Sequence, residues 1–123
     1  MSSEENKAIV RHFVELAQSH GQLNAVDEYF TADFVDHSAP AGLPIDREGV
    51  KMQFTMLRAA FPDMQAVIHD QIAEGDKVVT RKSLRGTHLG DFLGIAPTGK
   101  AVSLEVIDIL RLVDGKITDH WNC

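Results

Sequence analysis

Asp108 is the residue of this chain whose surroundings most invite chemistry. It lies in the run Ala101–Val113, where alternate positions carry Val102, Leu104, Val106, Asp108, Leu110 and Leu112. On a strand these six share one face, so five aliphatic side chains surround one carboxyl group. The opposite face, Ser103, Glu105, Ile107, Ile109 and Arg111, is mixed. Burial disfavours the ionised form, so the pKa of Asp108 is expected to rise. A carboxyl group held neutral near pH 7 can donate a hydrogen bond or act as general acid. The plainer reading is a buried Asp satisfied by backbone donors or by a Tyr or His neighbour.

Its cross-strand neighbour depends on the turn at Asp114-Gly115. A two-residue loop places Trp121 opposite Asp108. A three-residue loop, Val113-Asp114-Gly115, places His120 there instead and makes a titratable Asp108/His120 couple. Both loops fit the residues. His37, at the edge of the Pro/Gly loop Ser38–Pro44, is a candidate for the mouth of a cavity. His88 lies in the glycine-rich stretch Gly86–Lys100, a shaped loop between two strand-like runs. His88, Phe13, Phe61, Arg81 and Trp121 are the candidates for touching a bound molecule. For Arg81 a structural ion pair with a carboxylate is the competing reading, and for the aromatics the core. His12, His20 and His69 have no special context.

Several elements must position these groups. Ile9, Val10, Phe13, Val14, Leu16 and Ala17 recur at helical spacing, predicting a helix from about Glu4 to Ser19 that starts at Ser3 and ends at Gly21. Asn24–Phe30 predicts a short second helix, and Phe34–His37 a short strand. Asp46 is a good N-cap for a third helix through Val50, Phe54, Leu57, Ala60 and Phe61, closed by Pro62. Strands are expected over Met64–Ala73, Lys77–Thr87, Ala101–Val113 and Lys116–Asn122. Helices followed by a long antiparallel meander make an α+β domain, with three helices to cover one sheet face.

The bulk numbers agree with one domain spanning residues 1–123. Apolar residues make up 44% and charged residues 24% of the chain, as in an ordinary globular domain. A net charge of −6 without a basic stripe speaks against nucleic-acid binding. No apolar run approaches a membrane span, and Met1–Lys7 has no apolar segment of the signal-peptide kind. The one cysteine, Cys123, cannot pair within the chain, and as the last residue it is a poor candidate nucleophile; a reducing cytoplasm is the expected setting. Six scattered histidines lack metal-ligand spacing, so no metal is expected. Aromatics at 7% argue mildly against a cavity for a large planar polycycle.

The stretch Gly86-Thr87-His88, Gly90, Phe92, Gly94-Ile95 and Pro97-Thr98-Gly99-Lys100 resembles the signature loop of SnoaL-like polyketide cyclases, of the nuclear-transport-factor-like cone fold. Ile107–Arg111, Asp114–Ile117, His120-Trp121, Phe34–His37, Phe61–Asp63 and Gly75–Val79 with Arg81 extend the resemblance in order along the chain. It implies a strongly curved, mostly antiparallel sheet around an internal cavity, helices closing one end, and a homodimer through the outer sheet face. It also implies the three-residue hairpin loop, with His120 beside Asp108.

The chemistry the resemblance implies is a cofactor-independent intramolecular aldol closure. An acid/base removes a proton between carbonyls of a small apolar or carbonyl-containing molecule, with Asp108 and His120 in that role and His37 or His88 helping at the mouth. Ketosteroid isomerase shares the fold, and Leu104–Asp108 resembles its strand bearing an oxyanion-hole aspartic acid. Its catalytic base falls on His37 and its phenol donor on Phe13, which speaks against steroid isomerisation. In the related epoxide hydrolases an Arg and an Asp share a strand; here Ser83 follows Arg81 two residues on. The rival to an enzyme is a non-catalytic ligand-binding or dimerisation module of the same fold.

Overall fold

The computed structural model describes residues 2–122; Met1 and Cys123, and with Cys123 the reading made of it, lie outside the described residues. Helix α1 (Ser3–Val14) begins one residue earlier than expected, because Ser2 and Glu5 form a reciprocal capping box. It passes into a widened π-helical turn, Glu15–Ser19. Helix α2 (Asn24–Tyr29) leads directly into strand β1 (Phe30–Asp36), four residues longer at its start than the pattern predicted. Helix α3 (Arg47–Ala60) is capped by the Asp46 carboxylate on the Gly49 N–H at 3.2 Å, as read from the sequence.

Strands β2 (Gln65–Glu74), β3 (Lys77–Thr87), β4 (Ala101–Val113) and β5 (Lys116–Asn122) then form the meander. The sheet order is β1-β5-β4-β3-β2, antiparallel throughout except that β1 runs parallel to β5. The helices cover one face. Val10, Phe13 and Val14 of α1 pack there with Phe30, Phe34, Val78, Leu110, Leu112 and Ile117. A smaller cluster, Ala60, Phe61, Met64 and Leu84, seals the far end with Phe92 and Val102 against it.

The β4–β5 hairpin corrects both registers considered above. Asp114 and Gly115 have φ of 49° and 77°, the left-handed pair of a tight two-residue turn, so the three-residue loop is not formed. A bulge then leaves Thr118 unpaired between Leu112↔Ile117 and Arg111↔Asp119. The extra residue slips β5 by one position and reverses which side chains point inward. Asn122 therefore stands opposite Asp108, and His120 opposite Leu110. His120 still faces inward, diagonal to Asp108, while Trp121 turns outward.

The glycine-rich loop docks on the end of α3, where the Leu89 and Gly90 N–H groups both donate to the Ala60 carbonyl, at 3.0 and 3.1 Å. A Cβ at Gly90 would collide with the Ala59 carbonyl oxygen. Gly90→Ala should therefore cost about 2 kcal/mol or more of stability. Urea unfolding checks this: a midpoint equal to that of the parent chain would show that the loop is not seated there.

Candidate active site

Four adjacent strands each contribute one side chain to a row across the covered face of the sheet. Asp36 of β1 pairs laterally with His120 of β5, and Asp108 of β4 and Lys82 of β3 follow. His120 Nδ1 lies 2.9 Å from Asp36 Oδ1, and its Nε2 lies 2.8 Å from Asp108 Oδ1. Lys82 Nζ donates to Asp108 Oδ2 at 2.7 Å. Gln53 of α3 donates to Asp36 Oδ2 at 3.1 Å and the Ser38 N–H to Oδ1 at 3.0 Å, tying the row to the helix layer. Asp36, Lys82 and Asp108 are 2%, 4% and 7% exposed, so this is a buried array of charges.

Both ring nitrogens of His120 face carboxylate oxygens, the geometry of an imidazolium with two acceptors. Burial works against its charge, but the hydrogen bonds and charges of Asp108 and Asp36 prevail, and the pKa is pushed up to about 9. For Asp108 burial alone would raise the pKa; the Lys82 charge and the His120 hydrogen bond outweigh it and draw it down to about 2. Asp36 is likewise lowered, with His120, the Ser38 N–H and Gln53 overcoming burial. The expectation of a neutral Asp108 is thus corrected. Its strand face is apolar as the alternation indicates, but the Lys82 ammonium group on the neighbouring strand reverses the effect of burial.

The row closes one side of a cavity of about 130 Å³. The rest of the lining is mostly apolar, with Phe13, Phe30, Phe34 and Phe54 prominent. Four of the chain's six phenylalanines thus stand around one space, so the low aromatic content says little about what the cavity accepts.

Of the five residues expected to touch a bound molecule, Phe13 lines the cavity and the others lie elsewhere. Phe61 belongs to the second core cluster. His88 is buried beside it, its ring centroid 5.6 Å from that of Phe61 and its Nδ1 3.1 Å from Thr98 Oγ1. Its main chain pairs with Gly99 and Lys100, so it closes the base of the glycine-rich loop and not the rim of the cavity. Arg81 is on the outer face, ion-paired with Asp70 at 2.6 Å. Trp121 is outward too, stacked on His37 at 4.7 Å with planes 7° apart. His37 follows the inward Asp36 and therefore points out, where its Nε2 meets Asp119 Oδ2 at 2.8 Å. It is not at the cavity mouth.

Lys82 and Asp36 are not among the residues expected from the sequence. Both were findable by alternation: Lys82 is in phase with Val78 and Leu84, and Asp36 with Phe34. A second polar cluster on the outer face has a serine at its centre, Ser83 Oγ being 2.6 Å from His69 Nε2 and 2.7 Å from Glu105 Oε2. The serine bridges the other two, so His69 is not oriented as its base. Among the described residues no group of three or more His, Cys, Asp or Glu is placed to hold a metal ion. No described helix is long and apolar enough to cross a membrane.

A helix-covered mixed sheet enclosing an apolar cavity with a buried acid–base row defines an α+β cone protein built to handle a small molecule. The chain belongs to the SnoaL-like polyketide cyclase family, whose sequence model matches residues 7–123. It is 32% identical over 115 residues to an aklanonic acid methyl ester cyclase of Streptomyces peucetius, covering 91% of this chain and 79% of that one. It is 30% identical over 102 residues to the nogalonic acid methyl ester cyclase of Streptomyces nogalater, covering 81% and 76%. The crystal structure of AclR from Streptomyces galilaeus, provisionally described as a hydroxylase, superposes with a TM-score of 0.88 at 31% identity, covering 99% and 90%. The curated relatives are named cyclases, which supports an enzymatic role over a purely binding one.

The ionisation pattern has a measurable consequence for stability. His120 binds its proton more tightly folded than unfolded, so its contribution is whole below its unfolded pKa of 6.5 and is lost as pH rises through about 9. Asp108 acts oppositely: its contribution is whole above 3.8 and is lost as pH falls toward about 2. Resistance to urea should be greatest between about pH 4 and 6.5, falling on the order of 2 kcal/mol toward pH 9. In His120→Gln the alkaline decline should flatten; a decline that persists unchanged would remove His120 as its cause.

Proposed function

We propose that this protein closes a ring in a polyketide acid methyl ester, without a cofactor, by the acid–base chemistry of the Asp108–His120 pair. The observation that carries the reading is the buried row of alternating charges set into an otherwise apolar cavity. The Asp108 carboxylate takes a proton from a carbon flanked by carbonyl groups. The enolate carbon then attacks a ketone carbon of the same molecule, forming one carbon–carbon bond. The former ketone oxygen takes up a proton, returned from Asp108 or supplied by the His120 imidazolium, whose proton is then restored from Asp108. No atom is lost, so the product is an isomer of the substrate.

A carboxylate held near pKa 2 is a weak base, which limits the proposal to carbon acids already activated by two carbonyls. The neighbouring cations compensate. Lys82 and His120 stand where negative charge develops on an enolate, in a site largely free of water. A folded substrate held by the phenylalanine walls supplies the proximity that an intramolecular attack needs. His37 and His88, once candidate helpers, have no part in this scheme because neither lines the cavity.

The direct test is incubation with aklanonic acid methyl ester and with nogalonic acid methyl ester, followed by chromatography and mass measurement. An isomeric product of unchanged mass is expected from at least one; failure with both, at enzyme concentrations matching the substrate, rejects the reading. Asp108→Asn should lower kcat by about 10²- to 10⁴-fold with KM little changed. Lys82→Met should raise the pKa of Asp108 and move the acid limb of the kcat/KM profile to higher pH. An acid limb that stays in place would mean that Asp108 is not the base.

The cyclase is proposed to act as a homodimer in a reducing cytoplasm. Val67, Ile72, Ile107 and Val113 are exposed large apolar side chains on the uncovered side of the sheet, a surface suited to a second copy. A single cysteine among 123 residues suits a reducing compartment. Light scattering should give twice the chain mass, and Ile107→Lys should shift the population to monomer; a parent chain that is monomeric at micromolar concentration would overturn the dimer.

A further inference from the structure

Gln18 is a polar cavity residue to which the cyclisation scheme assigns nothing. It lies on the π-helical turn Glu15–Ser19, in which the His20 N–H donates to the Glu15 carbonyl at 3.0 Å. Ala17, Gln18 and Ser19 are all buried there. In a regular helix three successive positions fan across roughly 200°. The widened turn brings all three inward. Its main chain is pinned, with Arg58 Nη1 donating to the Gln18 carbonyl at 3.1 Å and to the Ser19 carbonyl at 3.4 Å. Ser19 Oγ, in turn, accepts from the Ala66 N–H at 2.9 Å.

The Gln18 side chain is treated differently. The residue is 6% exposed and lines the same cavity as Asp108 and His120, yet its Oε1 has no hydrogen-bond partner among the described residues. Val14, one turn earlier on the same helix face, is apolar. A buried amide oxygen without a partner lowers stability, and a methionine of similar volume would remove that cost. The turn that holds it is tied to Ala66, which pairs with Leu84, two residues past Lys82 on β3. The neighbouring Ser19 is thus anchored at Ala66, opposite Leu84, which lies about 7 Å of strand beyond Lys82.

We infer that the Gln18 carboxamide is a second polar anchor for the bound molecule, hydrogen-bonding a hydroxyl or carbonyl oxygen remote from the carbon that Asp108 deprotonates. The inference rests on the cyclase reading and adds the feature by which the site selects its substrate. A primary amide both donates and accepts, so it serves either oxygen function. With the charged row fixing the enolate end and Gln18 the far end, the substrate has one orientation along the cavity. A molecule lacking the far oxygen leaves the amide unpaired and is rejected.

The test is Gln18→Met in two assays. In turnover of aklanonic acid methyl ester, KM should rise about tenfold with kcat changed far less, while Tm stays level or increases. In equilibrium binding, the parent chain should prefer 2,6-dihydroxynaphthalene over 2-naphthol by about tenfold, and the variant should lose that preference. A variant with parental KM and a raised Tm overturns the anchor, since a merely buried amide behaves that way. The two proposals fail separately. A parent chain that cyclises the ester while Gln18→Met keeps its KM retains the cyclase and loses the anchor. A parent that does not cyclise, but whose two-oxygen preference vanishes in the variant, retains the anchor and loses the cyclase.

Discussion

The alternation of charge along Asp36, His120, Asp108 and Lys82 is the constraint to which the rest of the structure answers. Each member is nearly or wholly out of water, and each would be untenable alone. A carboxylate without its cation would protonate, and a buried ammonium without its carboxylate would lose its proton or draw in solvent. The row is neutral only when complete, and completeness requires four strands in lateral order, one contributor from each. The parallel return of β1 beside β5 follows from the same need, because it brings Asp36 level with His120. Such pairs contribute little net stability after desolvation, so folding stability alone does not account for the row.

Much of the architecture was legible because period-2 and period-3.6 patterns record which way a side chain faces. The bounds of β3, β4 and β5 agree with the residues, and so does the Asp46 cap of α3. Asp108 stood out because one carboxyl group among five aliphatics breaks its pattern. Its charge state was not legible, since that depends on Lys82, contributed by a strand whose lateral place no local pattern encodes. Lys82 itself hid in a run of polar residues where Arg81, its outward neighbour, looked more conspicuous. His37 and His88 are marked by their loop positions and Trp121 by one of the two simple hairpin registers, and none of these fixes the direction of a side chain. The π-helical turn was equally invisible, because the residues of Glu15–Ser19 would also suit an ordinary helix.

Two kinds of material thus share one cavity. The sheet supplies a rigid, hydrogen-bonded ionic wall, and helices α1 and α3 with strand β1 supply phenylalanine rings that adapt to shape but not to charge. Chemistry placed on strands is held within the tolerance of the ladder, whereas selectivity placed on helix faces can vary by substitution without disturbing it. This division is consistent with relatives that share the fold at about 30% identity and carry names from different reactions.

The bulge at Thr118 sets the parity of the last strand. Four residues, Lys116–Asp119, separate the turn from His120; were all four regularly paired, the imidazole would face the outer surface and the indole of Trp121 would enter the cavity, and one unpaired residue exchanges them. The acid–base character of the site therefore depends on a backbone irregularity, not only on the identity of any side chain. Drawing Thr118 into regular pairing would leave every functional residue in the chain and still turn the ionic row into an aromatic wall, whereas deleting this unpaired residue would keep His120 opposite Leu110. Within this fold, the gain or loss of a bulge in the closing hairpin is thus a route by which a reactive cavity and a merely binding one can interconvert.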